Sequence, residues 1–439
     1  MKAYFDPIYG RIELDDLILD VINKCPELKR LKYIGMMNFK AISMLPLTSI
    51  TRLEHTIGLA YLTQIFAQTN NLSETYQKEL SIAALYHDVN CGSFGHSVEW
   101  AIDRYTPFDH EEDTAWLSNP DIHPFFINLP RFIEMPGLHR YDFGEKYKPD
   151  LKKIYQLIKG TESFVINNKG IDLDNIDNVF RMGFYLGITT EDRSIVEKLV
   201  RNLRIVEGID NFVVKKDCLD LVAIWHRLRS DVYHTFIYSH EYMSFEFLIF
   251  QLIYEFSKNI DKKDVINLFH FTDENLLWSL TDKKKYPSSL NNIAKKLLLH
   301  DLPRAHAIIR SDDFGKKDLL SKENFLQSLA KEVTTFLVGK KIFSSSVQDE
   351  IHYHVTTDNR KTHRKVDICV DDDGNMSKVS LGDDKSYILI CILSRTELTN
   401  EMVSMITAKT IELLNKNNLG SFERVQFAEQ EVVSAGRLF

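Results

Sequence analysis

Tyr86-His87-Asp88-Val89-Asn90-Cys91-Gly92-Ser93-Phe94-Gly95-His96 is the stretch on which the fold of this chain turns. A helical run, capped by Ser73 and continuing through Leu80 and Ala84, ends in His-Asp and passes into a turn that contains glycine. Adjacent residues on a helix point about 100° apart, so His87 and Asp88 can serve one metal only where the helix end lines a cavity. A neutral imidazole beside a carboxylate suits a borderline divalent ion. Such a doublet is common by chance, and two distant stretches decide its weight. Arg52-Leu53-Glu54-His55-Thr56-Ile57-Gly58 lies upstream, and Ile171-Asp172-Leu173-Asp174-Asn175-Ile176-Asp177 lies downstream.

The chain around them has 439 residues, 44% hydrophobic and 26% charged. That is enough for two to three domains, or for one large core with a lobe, and it excludes a mostly disordered chain. No stretch approaches the ~18 uninterrupted apolar residues of a membrane span. The opening Met1-Lys2-Ala3-Tyr4-Phe5-Asp6-Pro7 carries no apolar core of a signal peptide, so a cytoplasmic protein is expected. Cys25, Cys91, Cys218, Cys369 and Cys391 are scattered, which speaks against a disulfide frame or a thiolate zinc site. A net charge of −8 gives no global footprint for nucleic acid, although a local patch stays open.

Most of the sequence reads as helix. Residues 10–35 carry apolar positions at helical spacing, with a restart at Pro26, and residues 52–69 read as an amphipathic helix. Long helical patterns return at 190–206, 216–258 and 289–300. Between Asp109 and Leu151 four prolines with interleaved aromatics break the pattern, which fits either a surface connector or a lid over a pocket. The texture changes near Asp312. Ile351–Val355, Lys365–Val370 and Ser386–Ile392 read as strands, Asp371–Gly374 as a turn, and a helix follows through Met402 and Leu414. The expected fold is mostly α, a helical core over residues 1–311 with a smaller C-terminal α+β lobe over 312–439.

Taken together, the three stretches resemble the HD-domain phosphohydrolases, in which a His on one helix, a His-Asp doublet on a second and a distant Asp bind one or two metals. The Arg-x-x-His-Thr-x-Gly form around His55 is similar to the deoxynucleoside triphosphate triphosphohydrolase branch, which includes the catalytic domains of sterile-alpha-motif/HD proteins and their bacterial relatives. Asp6-Pro7-Ile8-Tyr9-Gly10-Arg11-Ile12-Glu13-Leu14, Pro26 through Ile34, Asp109-His110-Glu111 and Tyr238-Ser239-His240 also match that branch.

The resemblance implies a helical HD core and a divalent metal (Mg, Mn, Fe, Co or Zn) on His55, His87, Asp88 and Asp174. It implies a nucleoside polyphosphate substrate, hydrolysed to nucleoside and triphosphate. His110, oriented by Glu111, is the expected proton donor to the leaving oxygen, with His96 as the second candidate, because histidine titrates near neutrality. Arg52, one helical turn before His55, either contacts a phosphate beside the metal or pairs with Glu54 or another acid. Tyr238 and His240 are expected to line the nucleotide pocket. The resemblance also implies a homo-oligomer, because relatives build regulatory sites between subunits.

The chain departs from the branch at several points. Cys91 replaces a His four residues after His87. Met36-Met37 stand where a Gln-Leu pair reads the sugar. Asn175, Asn178 and Met182 replace Lys, Tyr and Asp, and Lys24, Lys29 and Lys32 occupy the region of a nucleotide regulatory site. Two other functions stay open: hydrolysis of another nucleotide or phosphoester, and nucleotide sensing without turnover.

Overall fold

The computed structural model describes residues 3–103, 147, 149–168, 170–189, 192, 194–259, 271–316, 320, 322–342, 350–358 and 360–425. In chain order the elements are β1 (Tyr4–Asp6), β2 (Gly10–Ile12), α1 (Asp16–Lys24), α2 (Pro26–Arg30), α3 (Leu45–Thr48), α4 (Arg52–Thr69), α5 (Glu74–Tyr86), α6 (Gly95–Asp103), α7 (Leu151–Ile158), α8 (Leu173–Leu186), α9 (Ser194–Asn202) and β3 (Val213–Lys215). They continue as α10 (Leu219–Ile237), α11 (His240–Asn259), α12 (Asp273–Leu280), α13 (Ser288–Leu298), β4 (Arg304–Ser311), α14 (Glu323–Gly339), β5 (Ile351–Thr357), β6 (Val366–Asp372), β7 (Asn375–Leu381), β8 (Ile388–Ser394), α15 (Asn400–Lys416) and β9 (Glu423–Arg424). The mostly helical expectation holds. No helix among the described residues is long and apolar enough to cross a membrane.

The chain packs as two units that interleave along the sequence. One comprises Met1–Arg229, Leu252–Ala294 and Lys365–Leu381, and the other Ser230–Gln251, Lys295–Arg364 and Gly382–Phe439. The boundary expected after residue 311 falls inside the second unit. Composition changes there, but β4, which ends at Ser311, pairs with β8 some 80 residues later, a partnership that local texture cannot register.

The first unit is built around α4. α5, α8 and α9 all pack on it, and it buries Ile57, Leu59, Ala60, Leu62, Ile65 and Phe66. An amphipathic helix was expected over these residues. The bounds agree, but burial extends around the helix because Gly58, Ala60 and Thr63 let neighbours come close on the faces that would otherwise meet water. α5 begins as expected, with the Ser73 side chain accepting the Tyr76 amide, and packs on α4 so that His87 follows directly at its C-terminal end.

The helical expectation from residue 10 gives way to a β1–β2 hairpin, because Asp6 Oδ1 accepts the Ile8 and Tyr9 amides and ties the turn. The helical pattern over 216–258 breaks at Tyr238-Ser239. There the Ser239 oxygen accepts the Tyr242 amide as an N-cap for α11, so Tyr238-Ser239-His240 forms a junction and not a helix interior.

The three expected strands are present but do not share one sheet. β6 pairs in parallel with β3 and antiparallel with β7, a strand not expected from the sequence. Asp371–Gly374 is the tip of that β6–β7 hairpin, with Asp373 at φ +52° and Gly374 at φ +91°, the backbone a two-residue hairpin turn needs. β5 and β8 belong to the second unit, in an antiparallel sheet ordered β5-β8-β4-β9. Its core joins Ile309, Tyr353, Ile390 and Ile392 of the sheet to Leu329 and Val333 of α14 and Ile406 and Leu414 of α15.

Candidate metal centre

His55 lies on α4, His87 caps α5, Asp88 follows it and Asp174 stands in the first turn of α8. α5 and α8 both pack on α4, and this brings these side chains to one place. One donor atom from each of His55, His87 and Asp88 lies within 4.8 Å of the others, and all three residues are buried. Asp174 Oδ1 sits 2.7 Å from His55 Nε2 and 3.5 Å from His87 Nε2. The two imidazole rings meet edge to face, 5.3 Å apart.

Each histidine is oriented from behind. His87 Nδ1 donates to the Ala84 carbonyl at 2.7 Å, which turns its Nε2 towards the carboxylates. His55 Nδ1 faces Asp177 Oδ2 at 2.6 Å. Asp177 is fully buried and is gripped by Arg181, whose Nε reaches Oδ2 and whose Nη2 reaches Oδ1, both at 2.9 Å. The Tyr9 hydroxyl donates to Asp177 Oδ1 at 2.6 Å. Arg181 Nη1 goes on to Asp6 at 2.9 Å and Glu54 at 3.0 Å, and the Tyr185 hydroxyl donates to Glu54 at 2.7 Å.

The charges are strongly coupled. Burial works against a protonated His55, but the flanking carboxylates of Asp174 and Asp177 outweigh it and push the ring up to about 10. His87 is also raised against its burial, by Asp88 and Asp174. Burial alone would raise the Asp174 carboxyl, yet the two histidines hold it far below the usual range. Asp177 is held low against the same penalty, by Arg181 first and His55 second.

Arg52 pairs with an acid other than Glu54. Its Nη1 donates to Asp88 Oδ1 at 2.6 Å, while Glu54 turns away to Arg181 and Tyr185. Its Nε is a buried donor with no hydrogen-bond partner. Cys91 is buried, and its carbonyl, like that of Val89, accepts from Arg30 Nη2, which fastens the turn after the doublet to α2. Met36 and Met37 are buried beside the start of α4, where the Met36 amide donates to Ile50 and the Arg52 amide to Ile34.

His96 faces Glu99 Oε2 at 2.8 Å one turn further along α6. His110 and Glu111 lie outside the described residues, as does nearly all of the stretch read as connector or lid. Tyr238 and His240 belong to the second unit. There burial raises the Tyr238 hydroxyl to about 12 and lowers His240, which lines a cavity of about 360 Å³ together with His300, Arg304 and His306.

The sequence names the four converging side chains but gives no role to Asp177, Arg181, Asp6 or Tyr9, and offers Glu54 only as a partner for Arg52. The i, i+4 spacing of Asp177 and Arg181 is a legible pair signal. Nothing in the sequence ties it to Asp6 or to His55.

Comparison with known proteins gives an independent view. No family model matches this chain. It is 28% identical over 299 residues to the deoxynucleoside triphosphate triphosphohydrolase SAMHD1 homolog of Dictyostelium discoideum, an alignment covering 61% of this chain and 53% of that protein. It is 37% identical over 241 residues to SAMHD1 of Danio rerio, covering 47% and 37%, and 31% identical over 243 residues to SAMHD1 of Homo sapiens, covering 48% and 37%. The chain thus spans about half, or less, of these relatives' own length. Among solved structures, a phosphohydrolase from Bacteroides thetaiotaomicron superimposes with a TM-score of 0.62 at 15% identity, over 90% of this chain and 100% of that one. A hypothetical protein from Aquifex aeolicus does so with a TM-score of 0.61 at 16% identity, over 92% and 99%. At such identities the structural likeness speaks for the fold alone.

Proposed function

We propose that this chain, a relative of the HD-domain deoxynucleoside triphosphate triphosphohydrolases, is a divalent-metal-dependent phosphohydrolase that splits deoxynucleoside triphosphates into deoxynucleoside and triphosphate. The observation that carries the reading is the convergence of His55, His87, Asp88 and Asp174 from three helices onto one buried point beside the Arg52 guanidinium. Two imidazoles and two carboxylates are a donor set that fits a borderline divalent ion, and the Nδ1 contacts of both rings leave their Nε2 atoms to face it. A divalent ion held there supplies Lewis acidity towards a phosphoryl oxygen and lowers the pKa of a neighbouring water.

The chain's own residues supply the rest. Arg52 brings a fixed positive charge to the edge of the cluster, where a phosphate needs compensation as charge builds on it. Hydrolysis at the α-phosphate leaves the 5′-oxygen short of a proton. His110, oriented by Glu111, donates it in this reading, and His96, paired with Glu99, is the second candidate. The helical fold is then an HD core. A homo-oligomer follows from the resemblance and is checked by sedimentation.

The decisive experiment is inorganic triphosphate release over a panel of deoxy- and ribonucleoside triphosphates and other phosphoesters, under Mg, Mn, Fe, Co and Zn. Triphosphate from the deoxynucleotides supports the reading. Turnover of another ester with a different product moves the protein to a different phosphohydrolase activity. Tight nucleotide binding without turnover under every metal makes it a sensor.

A further inference from the structure

We infer that Asp177 is a positioning residue for the metal centre, and that the β1–β2 hairpin takes part in setting it through Asp6 and Tyr9. The inference rests on the proposed metal site and extends it to residues that donate nothing to the metal.

The argument begins with what a buried ring needs. A histidine on a helix has two nitrogens and a freely rotating ring, and only one nitrogen can face the cluster. His55 is 2% exposed, so water cannot hold the other nitrogen. Asp177 Oδ2 lies 2.6 Å from Nδ1, and an ionised carboxylate is acceptor only. Nδ1 must therefore carry a proton, and Nε2 is the nitrogen turned to the point where Asp88, His87 and Asp174 meet, 2.7 Å from Asp174 Oδ1.

Asp177 cannot rotate away from this task. Both of its oxygens are taken by Arg181 in a two-pronged contact, and Tyr9 closes the remaining side of Oδ1. Arg181 is itself held on its far edge by Asp6 and Glu54. Three chain segments converge here: the hairpin, α4 through Glu54 and His55, and α8 through Asp177, Arg181 and Tyr185, which closes on Glu54. Gly58, one turn after Glu54 on α4, leaves the room for it. A Cβ there would stand 2.2 Å from Arg181 Nη2 and 2.5 Å from Asp177 Oδ1. If this lattice only stabilised the fold, its carboxylate would have no need to end on the nitrogen opposite the candidate metal donor.

The test uses Mn²⁺ affinity by titration calorimetry on the full chain, at a temperature where every variant gives wild-type circular dichroism. Asp177→Asn, which leaves Arg181 paired with Asp6 and Glu54, and the double variant Asp177→Asn/Arg181→Met, which also removes the guanidinium, should each bind Mn²⁺ about 10–100-fold more weakly. Tyr9→Phe, which removes one hydrogen bond and no charge, should weaken binding by a smaller factor in the same direction. In Zn²⁺-loaded wild type, the ¹⁵N shifts of the His55 ring should show Nδ1 protonated and Nε2 as ligand, and Asp177→Asn should blur that assignment. Unchanged Mn²⁺ affinity in folded Asp177→Asn and in the double variant, with only the melting temperature lowered, overturns the positioning role and leaves the metal site standing. Absence of Mn²⁺ and Zn²⁺ binding in the wild type overturns both.

Discussion

Replacing Gly58 by alanine should destabilise the protein, although helix propensity alone argues the reverse. Alanine in a helix interior is favoured over glycine by ~1 kcal/mol. Gly58 lies in α4, where the added Cβ would come within 2.2 Å of Arg181 Nη2 and 2.5 Å of Asp177 Oδ1. An arginine tip would ordinarily swing aside at little cost. This one is fully buried and bonded to Asp177, Asp6 and Glu54, so it cannot move without breaking charged contacts. Overpacking costs ~1–3 kcal/mol. Separating a buried ion pair adds ~3–5 kcal/mol. After the propensity gain is subtracted, a loss of about 3 kcal/mol or more is expected. Urea unfolding followed by far-ultraviolet circular dichroism measures it, with Gly339→Ala as the reference. Gly339 lies at the end of α14 with nothing within 4 Å of its would-be Cβ, so alanine there should be neutral or mildly stabilising. A Gly58→Ala protein as stable as the wild type would show that the lattice gives way cheaply, and the reasoning from it would fail.

Three further outcomes follow from the site. Asp88→Ala should abolish turnover while circular dichroism stays unchanged, and loss of the fold instead would assign the cluster a structural role. His110→Ala should lower the rate of triphosphate release by about 10²–10⁴ with nucleotide binding nearly intact, and an unchanged rate would move the proton donor to His96. The pH dependence has a definite sign. His55 sits at about 10 in the folded chain, above the ~6.5 of an unfolded histidine, so its proton is held more tightly when folded. Its contribution to stability in EDTA is complete below pH ~6.5 and is lost as pH rises from there through about 10. Mn²⁺ must displace that proton, so its affinity should climb over the same window. Urea midpoints in EDTA and Mn²⁺ titrations at matched pH values check both, and a Mn²⁺ affinity that does not change with pH would contradict the picture.

The sequence by itself determined the features that depend on a few neighbouring residues. The extent of α4 from Arg52 to Thr69, the Ser73 cap of α5, the turn at Asp371–Gly374 and the strands read over 351–355 and 386–392 all follow from spacing, caps and turn residues that act within one or two turns of chain, and the structure places those two strands at Ile351–Thr357 and Ile388–Ser394. The four candidate metal donors were legible because a motif fixes residue types at recognisable places. The tertiary structure decided what depends on partners far along the chain. Tyr9 and Asp177 are 168 residues apart, and His55 and Asp177 are 122 apart, yet they form one buried hydrogen-bonded lattice. β6 pairs with its hairpin partner β7 and with the distant β3, not with β5 or β8, and Arg52 chose Asp88 over Glu54. In each case the choice comes from burial. Once a polar group loses water, it must take whichever partner packing places within hydrogen-bond reach. That partner is set by how helices close on one another and not by the residues beside it in the chain.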